Sequence, residues 1–95
     1  MPEFCTAERD GHILTVTMNR PERMNALHSP SHFEMDEIFN DFEKDPDLWV
    51  AIVTGAGDRA FSAGNDLKWQ AEGKKTEPPA SGFAGLAHRF NMQKP

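Results

Sequence analysis

The stretch Leu48 to Thr54, "LWVAIVT", is an unbroken apolar run fenced by Asp45-Pro46-Asp47 before it and Gly55-Ala56-Gly57-Asp58 after it. A run that short and that apolar predicts a strand covered on both faces, as in a parallel sheet flanked by helices. A parallel partner needs a crossover connection, so a strand and then a helix should precede it. "HILTVTM", His12 to Met18, fits the strand: Leu14, Val16 and Met18 alternate with Ile13, Thr15 and Thr17, and β-branched residues predominate. Ser29-Pro30 fits the helix start, with Ser29 at N-cap and Pro30 at N1. Met35, Ile38, Phe39 and Phe42 then fall at i, i+3, i+4 and i+7, the spacing of one buried stripe. Strand, helix and strand make a βαβ unit, and the fold class is α/β.

Beyond this unit, "AFSAGNDLK" (Ala60 to Lys68) passes through three small residues and predicts a helix from about Asp66 to Glu72, ending at Gly73. "KKTEPPASG" reads as a mobile loop. A last amphipathic segment places Phe83, Leu86, Ala87 and Phe90 on one face. Pro95 pushes Lys94 toward an extended backbone, so "KP" reads as the approach to a further strand. A strand covered on both faces needs further layers, and the 95 residues read as the first part of a larger αβ unit.

The 95 residues suffice for one domain or a piece of one. With 38% hydrophobic and 26% charged residues, the composition is that of a folded chain. The formal net charge of -5 argues against nucleic acid or an anionic membrane as partner, since both demand a basic patch. One cysteine, Cys5, allows no internal disulfide, and no apolar leader or span is visible. Cytoplasm is the expected compartment.

Gly55-x-Gly57-x-x-Ala60 after an apolar strand matches the dinucleotide pattern on its face, but that pattern needs a helix directly after the glycines to meet pyrophosphate. Gly64 interrupts any such helix, and a plain turn is the better reading. His28 and His32 stand four residues apart, a zinc-like spacing, yet Pro30 lies between them and no cysteine pair supports a site. They read as partly exposed histidines, and no metal is expected. His12 and His88 have no sequence neighbours that give them a role. The acidic cluster Asp41, Glu43, Asp45 and Asp47, and the pair Lys74-Lys75, read as solvated charge.

Ser62, Ala63 and Gly64 let another molecule approach the main chain closely. A helix opening at Asp66 leaves its first N–H groups unsatisfied, with partial positive charge behind them. Such a turn can hold an anion, or an oxygen that becomes anionic during a reaction. A peptide N–H suits that work because it has no protonation state to lose and is fixed by the fold, and one such donor is worth about 2.7–4 kcal/mol of barrier. The other reading is an N-capped helix with Asp66 as cap and the small residues present for packing.

"RPERMNAL" (Arg20 to Leu27), "VAIVTGAGDRAFSAGNDLK" (Val50 to Lys68) and the terminal "KP" resemble, in order and spacing, the first half of the enoyl-CoA hydratase/isomerase (crotonase) superfamily. The resemblance covers nearly the whole chain, and two separated motifs agree along with the strand and helix between them. It implies a crotonase-type spiral of ββα units, of which residues 1–95 are the N-terminal portion, assembled as trimers or as hexamers made of two trimers. It also implies an acyl-CoA thioester as substrate, with coenzyme A present as part of that substrate and no separate cofactor. The thioester oxygen would become enolate-like and accept two backbone N–H groups, the first from Asn65.

By the same resemblance Met24 and Ala26, and Ala63, Gly64, Asn65, Asp66 and Leu67, line the CoA and thioester channel. Lys68, with Arg23 nearby, would meet CoA phosphate, a solvated surface lysine being the other reading. Phe83 and Leu86 fall in the variable segment near the acyl pocket, where packing is the simpler account. Two departures stand out. Asn65 replaces the usual small residue after the glycine, which leaves the acyl group open. The second oxyanion donor, a glycine, and the acid/base carboxylates follow the "KP" strand in the superfamily, so neither Glu72 nor Glu77 takes that role.

The resulting expectation is a lyase-type hydratase or dehydratase acting on an acyl-CoA double bond, inactive as the 95 residues alone. The alternatives are a Rossmann-like nucleotide-binding βαβ unit using Gly55 and Gly57, and a non-catalytic assembly piece docking through Phe83, Leu86 and Phe90. The sequence does not distinguish hydration from isomerisation, hydrolysis or decarboxylation.

Overall fold

A computed structural model of the chain describes residues 4–72, 79–87, 89, 90, 92, 94 and 95, with Lys68 through its main chain only. Three strands form one sheet in the order β1-β2-β3. β1 (Cys5–Asp10) turns at Gly11, φ +60°, and pairs antiparallel with β2 (Ile13–Met18). The helix α1 (Ser29–Lys44) then crosses over to β3 (Val50–Gly55), which pairs parallel with β2 from Ile13 opposite Val50 to Met18 opposite Gly55. The expected βαβ unit is present. β1, which the sequence reading left unassigned, adds an antiparallel edge; of its residues only Cys5 is buried.

Leu14, Val16 and Met18 point to one face of β2 and, with Cys5, Leu27, Leu48 and the α1 stripe of Met35, Ile38, Phe39 and Phe42, make the core. The register places Ala51 and Val53 of β3 on the same face, partly buried against it. On the opposite face Ile13, Val50 and Ile52 remain exposed among the described residues, Ile52 at 47%, so the described residues cover β3 on one side.

The N-cap of α1 is His28, one residue before the expected Ser29, and Ser29-Pro30 occupy the first helical turn. His28 N–H donates to Ser31 Oγ at 3.4 Å, and its Nδ1 lies 2.5 Å from the same hydroxyl. At the other end Lys94 Nζ donates to the carbonyls of Phe42 and Asp45, both at 2.6 Å, placing a cation where the helix carbonyls run out of partners. The Pro95 carbonyl accepts the Ala51 N–H at 3.0 Å, which brings the end of the "KP" segment to β3.

The stretch from Ser81 to Phe90 is not a continuous amphipathic helix. A 3-10 turn at Phe83–Gly85 contains Ala84 at φ +58°, flanked by Gly82 at +89° and Gly85 at +67°. Gly85 lies so close to α1 that an added Cβ would meet Asp36 N at 2.7 Å. Arg89 fastens the segment, its Nη2 donating to Asp36 O (3.0 Å) and Oδ1 (2.9 Å) and its Nη1 to Glu43 Oε1 at 2.8 Å. Leu86 packs on the core, whereas Phe90 is 83% exposed, so Phe83, Leu86 and Phe90 do not share one face. The expected helix end at Gly73, Lys74-Lys75 and His88 lie outside the described residues.

Candidate active site

The two motif stretches are laced together by main-chain and amide hydrogen bonds. A 3-10 turn at Pro21–Arg23 leads into Met24 and Asn25, both left-handed at φ +54° and +55°. Asn tolerates that conformation better than most residues. The Asn25 side chain holds it there, accepting the Arg20 N–H at 3.0 Å and donating to the carbonyls of Ala56 (3.0 Å) and Ala60 (2.8 Å). Ser62 Oγ donates to the Asn25 carbonyl at 2.9 Å, and Ala63 N–H to the Met24 carbonyl at 2.9 Å. Gly55 permits the approach, because a Cβ there would stand 2.2 Å from the Phe61 carbonyl oxygen.

Around Asn65 the lacing becomes a parallel bridge. Leu27 N–H donates to the Gly64 carbonyl at 2.7 Å, and Asp66 N–H donates to the Leu27 carbonyl at 2.9 Å. The Gly64 carbonyl and the Asn65 N–H belong to one trans peptide unit and point in opposite directions. The N–H therefore faces away from Leu27, and among the described residues it meets no acceptor. Its neighbour Gly64 N–H is taken by Ser62 Oγ at 3.1 Å. Ala63, Asn65 and Leu67 are exposed, Leu67 at 73%, and so is Met24.

Asp66 does cap a helix, α2 (Leu67–Ala71), its Oδ1 accepting the Trp69 N–H at 3.0 Å. The two sequence readings of this turn are thus compatible: the cap engages a donor inside the helix, and the unpaired N–H lies one residue before the cap. Asp66 Oδ2 accepts Arg20 Nη2 at 2.8 Å and Arg23 Nη1 at 3.3 Å. Burial alone would raise this carboxyl, but the Trp69 N–H and the two guanidinium groups outweigh it and hold Asp66 below the ordinary carboxylate range. With both oxygens engaged, what Asp66 offers a ligand is its place in the chain. Ala26 is buried, and its carbonyl accepts Arg20 Nη1. The Lys68 side chain lies outside the described residues.

Arg20, Asn25 and His28 carry this geometry without having been assigned a role by sequence reasoning. For Asn25 a signal existed, since an asparagine in a short connector without glycine is a candidate for φ above zero. His28 and His32 are buried, contrary to the expected partial exposure. The His28 ring sits between the edges of Phe4 and Trp69 at 4.5 and 4.8 Å, and burial, with Arg20 nearby, lowers its pKa. Among the described residues no group of three His, Cys, Asp or Glu comes together to hold a metal, and no helix is long and apolar enough to cross a membrane.

A hollow of about 360 Å³ lies beyond the end of β3, lined by Thr54, Gly55, Gly57 and the turn to Phe61. After Gly57 the chain enters no helix until Leu67, so the G-x-G pattern lacks the helix N-terminus that would meet a pyrophosphate.

Comparison with known proteins gives the same framework. A model of the family described as enoyl-CoA hydratase/isomerase matches residues 8–95. The carnitinyl-CoA dehydratase of Escherichia coli K12 is 47% identical over 97 aligned residues, which take in all of this chain and 37% of that protein. The carnitinyl-CoA dehydratase of Citrobacter koseri is 45% identical over the same shares. The crystal structure of carnitinyl-CoA hydratase from Mycobacterium avium superposes with a TM-score of 0.89 at 34% identity, covering 97% of this chain and 36% of that one. The chain thus spans little more than a third of the length of the relatives it matches. The sheet, the crossover helix and the laced motif stretches are those of a crotonase-type α/β fold, and the chain belongs to the enoyl-CoA hydratase/isomerase family.

Proposed function

We propose that residues 1–95 form the N-terminal part of an acyl-CoA hydratase or dehydratase, in which the Asn65 N–H donates to the thioester oxygen as it becomes enolate-like. The observation that carries this reading is the Gly64–Asn65 peptide, whose carbonyl is tied to Leu27 while its N–H, on an exposed residue, is unpaired among the described residues. A donor fixed in this way needs no reorganisation as charge develops on the oxygen, and it works without any nucleophile at the turn. In this reading Met24, Ala26, Ala63, Gly64, Asp66 and Leu67 line the channel for the thioester and CoA, and Lys68 meets CoA phosphate. The second donor and the carboxylates that move protons come from outside these 95 residues. The relatives' names make carnitinyl-CoA and its dehydrated counterpart the first acyl groups to try. Trimeric or hexameric assembly and a cytoplasmic setting belong to the same reading.

The test is a chimera in which these 95 residues replace the aligned segment of the Escherichia coli carnitinyl-CoA dehydratase. A folded chimera, checked by its thermal unfolding, should interconvert carnitinyl-CoA and its dehydrated counterpart, while the 95 residues alone should not. A folded chimera without turnover, or robust turnover by the isolated chain, overturns the reading.

A further inference from the structure

We infer that Arg20 and Asp66 form a positioning pair that sets the direction of the Asn65 N–H. The inference rests on the proposed role of that N–H. It starts from a mechanical weakness. The peptide that carries the N–H hangs from Gly64, which has φ +84° and nothing within 4 Å of where a Cβ would stand. Glycine there is a permissive pivot, because no side chain resists rotation. The two Leu27 hydrogen bonds fix the position of the peptide only as firmly as Leu27 itself is held relative to Asp66.

One guanidinium makes that connection. Arg20 has a side chain only 7% exposed, and its two terminal nitrogens reach opposite sides of the bridge. Nη1 donates to the Ala26 carbonyl, directly before Leu27, and Nη2 donates to Asp66 Oδ2, directly after Asn65. Asp66 Oδ1 in turn clamps the Trp69 N–H, so the residue following the N–H is fixed on both carboxylate oxygens. A rigid planar fork can span two acceptors at once, whereas a lysine ammonium on a flexible stem holds one with little directional control. Arg23, more exposed and at 3.3 Å, supplies the same carboxylate with a looser second cation. The pair touches no reacting atom in this arrangement and acts through the main chain.

A merely structural ion pair and a positioning pair both affect stability, so the discriminating readout is the bound thioester itself. In the chimera described above, the carbonyl stretch of a bound unreactive acyl-CoA thioester reports how strongly its oxygen is hydrogen-bonded. Arg20→Lys and Asp66→Asn, the latter keeping an acceptor for Trp69, should each lower kcat about 10–100-fold while KM moves less than about threefold, as expected when orientation and not affinity is lost. The carbonyl band should move toward its position in free thioester. An unchanged kcat, or a lowered kcat with the band at its parental position, overturns the pair. Where one variant loses its unfolding transition, the other decides. A folded parental chimera that neither turns over nor shifts the band removes the functional reading, and the inference falls with it.

Discussion

His32 Nδ1 accepts the main-chain N–H of Ala84 at 2.9 Å, which ties the middle of the last described segment to the first turns of α1. An Nδ1 that accepts is unprotonated, so the neutral ring carries its proton on Nε2, and that atom is buried with no hydrogen-bond partner among the described residues. Burial lowers the pKa of His32 from 6.5.

That arrangement fixes the sign of an acid dependence. The unfolded chain takes up the proton near pH 6.5 while the folded chain resists it, so stability is fully present above about pH 6.5 and falls progressively below it. His28, lowered by burial and Arg20, adds in the same direction. Thermal unfolding between pH 7.5 and 5 should show a falling midpoint. His32→Phe should reduce that slope without abolishing it, and at neutral pH should cost about 1–3 kcal/mol for the orphaned Ala84 N–H. An unchanged slope would count against the neutral ring.

Asn25→Ala should be among the most damaging changes outside the core. It removes the groups that bind Arg20, Ala56 and Ala60 and places a less tolerant residue at φ +55°. A loss of about 3 kcal/mol is expected from several buried hydrogen bonds and the backbone cost together. Asn25→Gly restores the backbone but not the bonds and should recover only about 1 kcal/mol of that loss. Denaturant unfolding of the two variants checks both figures.

Gly55 and Gly64 separate crowding from backbone strain. In Gly55→Ala the new Cβ collides with the Phe61 and Ala60 carbonyls at 2.2 and 2.8 Å, forcing the turn after β3 to move, with an expected loss of about 3 kcal/mol. In Gly64→Ala nothing is struck, and only the left-handed φ opposes it, for about 1–2 kcal/mol. Equal losses at the two positions would show that the turn yields more easily than its hydrogen bonds imply.

Burial and the neighbouring Glu34 carboxylate push the Cys5 thiol up to about 12. The folded chain should resist iodoacetamide at pH 8 and become reactive only on unfolding, followed by mass spectrometry. Because the unfolded thiol ionises near 9, stability present below that pH should decline above it.

The βαβ unit was legible because its signals are local: alternation in β2, the α1 stripe, and turn residues around β3. β1 was not, since Glu8, Arg9 and Asp10 give "CTAERD" no apolar alternation and only Cys5 is buried. Partner choice likewise stays hidden when it depends on distant residues. His32 reads as a surface histidine until Phe83, 4.6 Å from its ring, and Ala84 are laid over it. The turn at Ser62 to Asp66 was recognisable as a close-approach site from its small residues. The resemblance, and not the local pattern, singled out the Asn65 N–H, because its lack of a partner among the described residues follows from the hydrogen bonds to Leu27 on another stretch of chain.

The Gly64–Asn65 peptide faces two ways, its carbonyl tied to Leu27 and its N–H turned away from Leu27 with no acceptor among the described residues. The outward group is common to every amino acid except proline, so residue identity at position 65 is uncoupled from the presence of the donor. A substitution there by any residue but proline would change the side chain beside that N–H and leave the N–H in place.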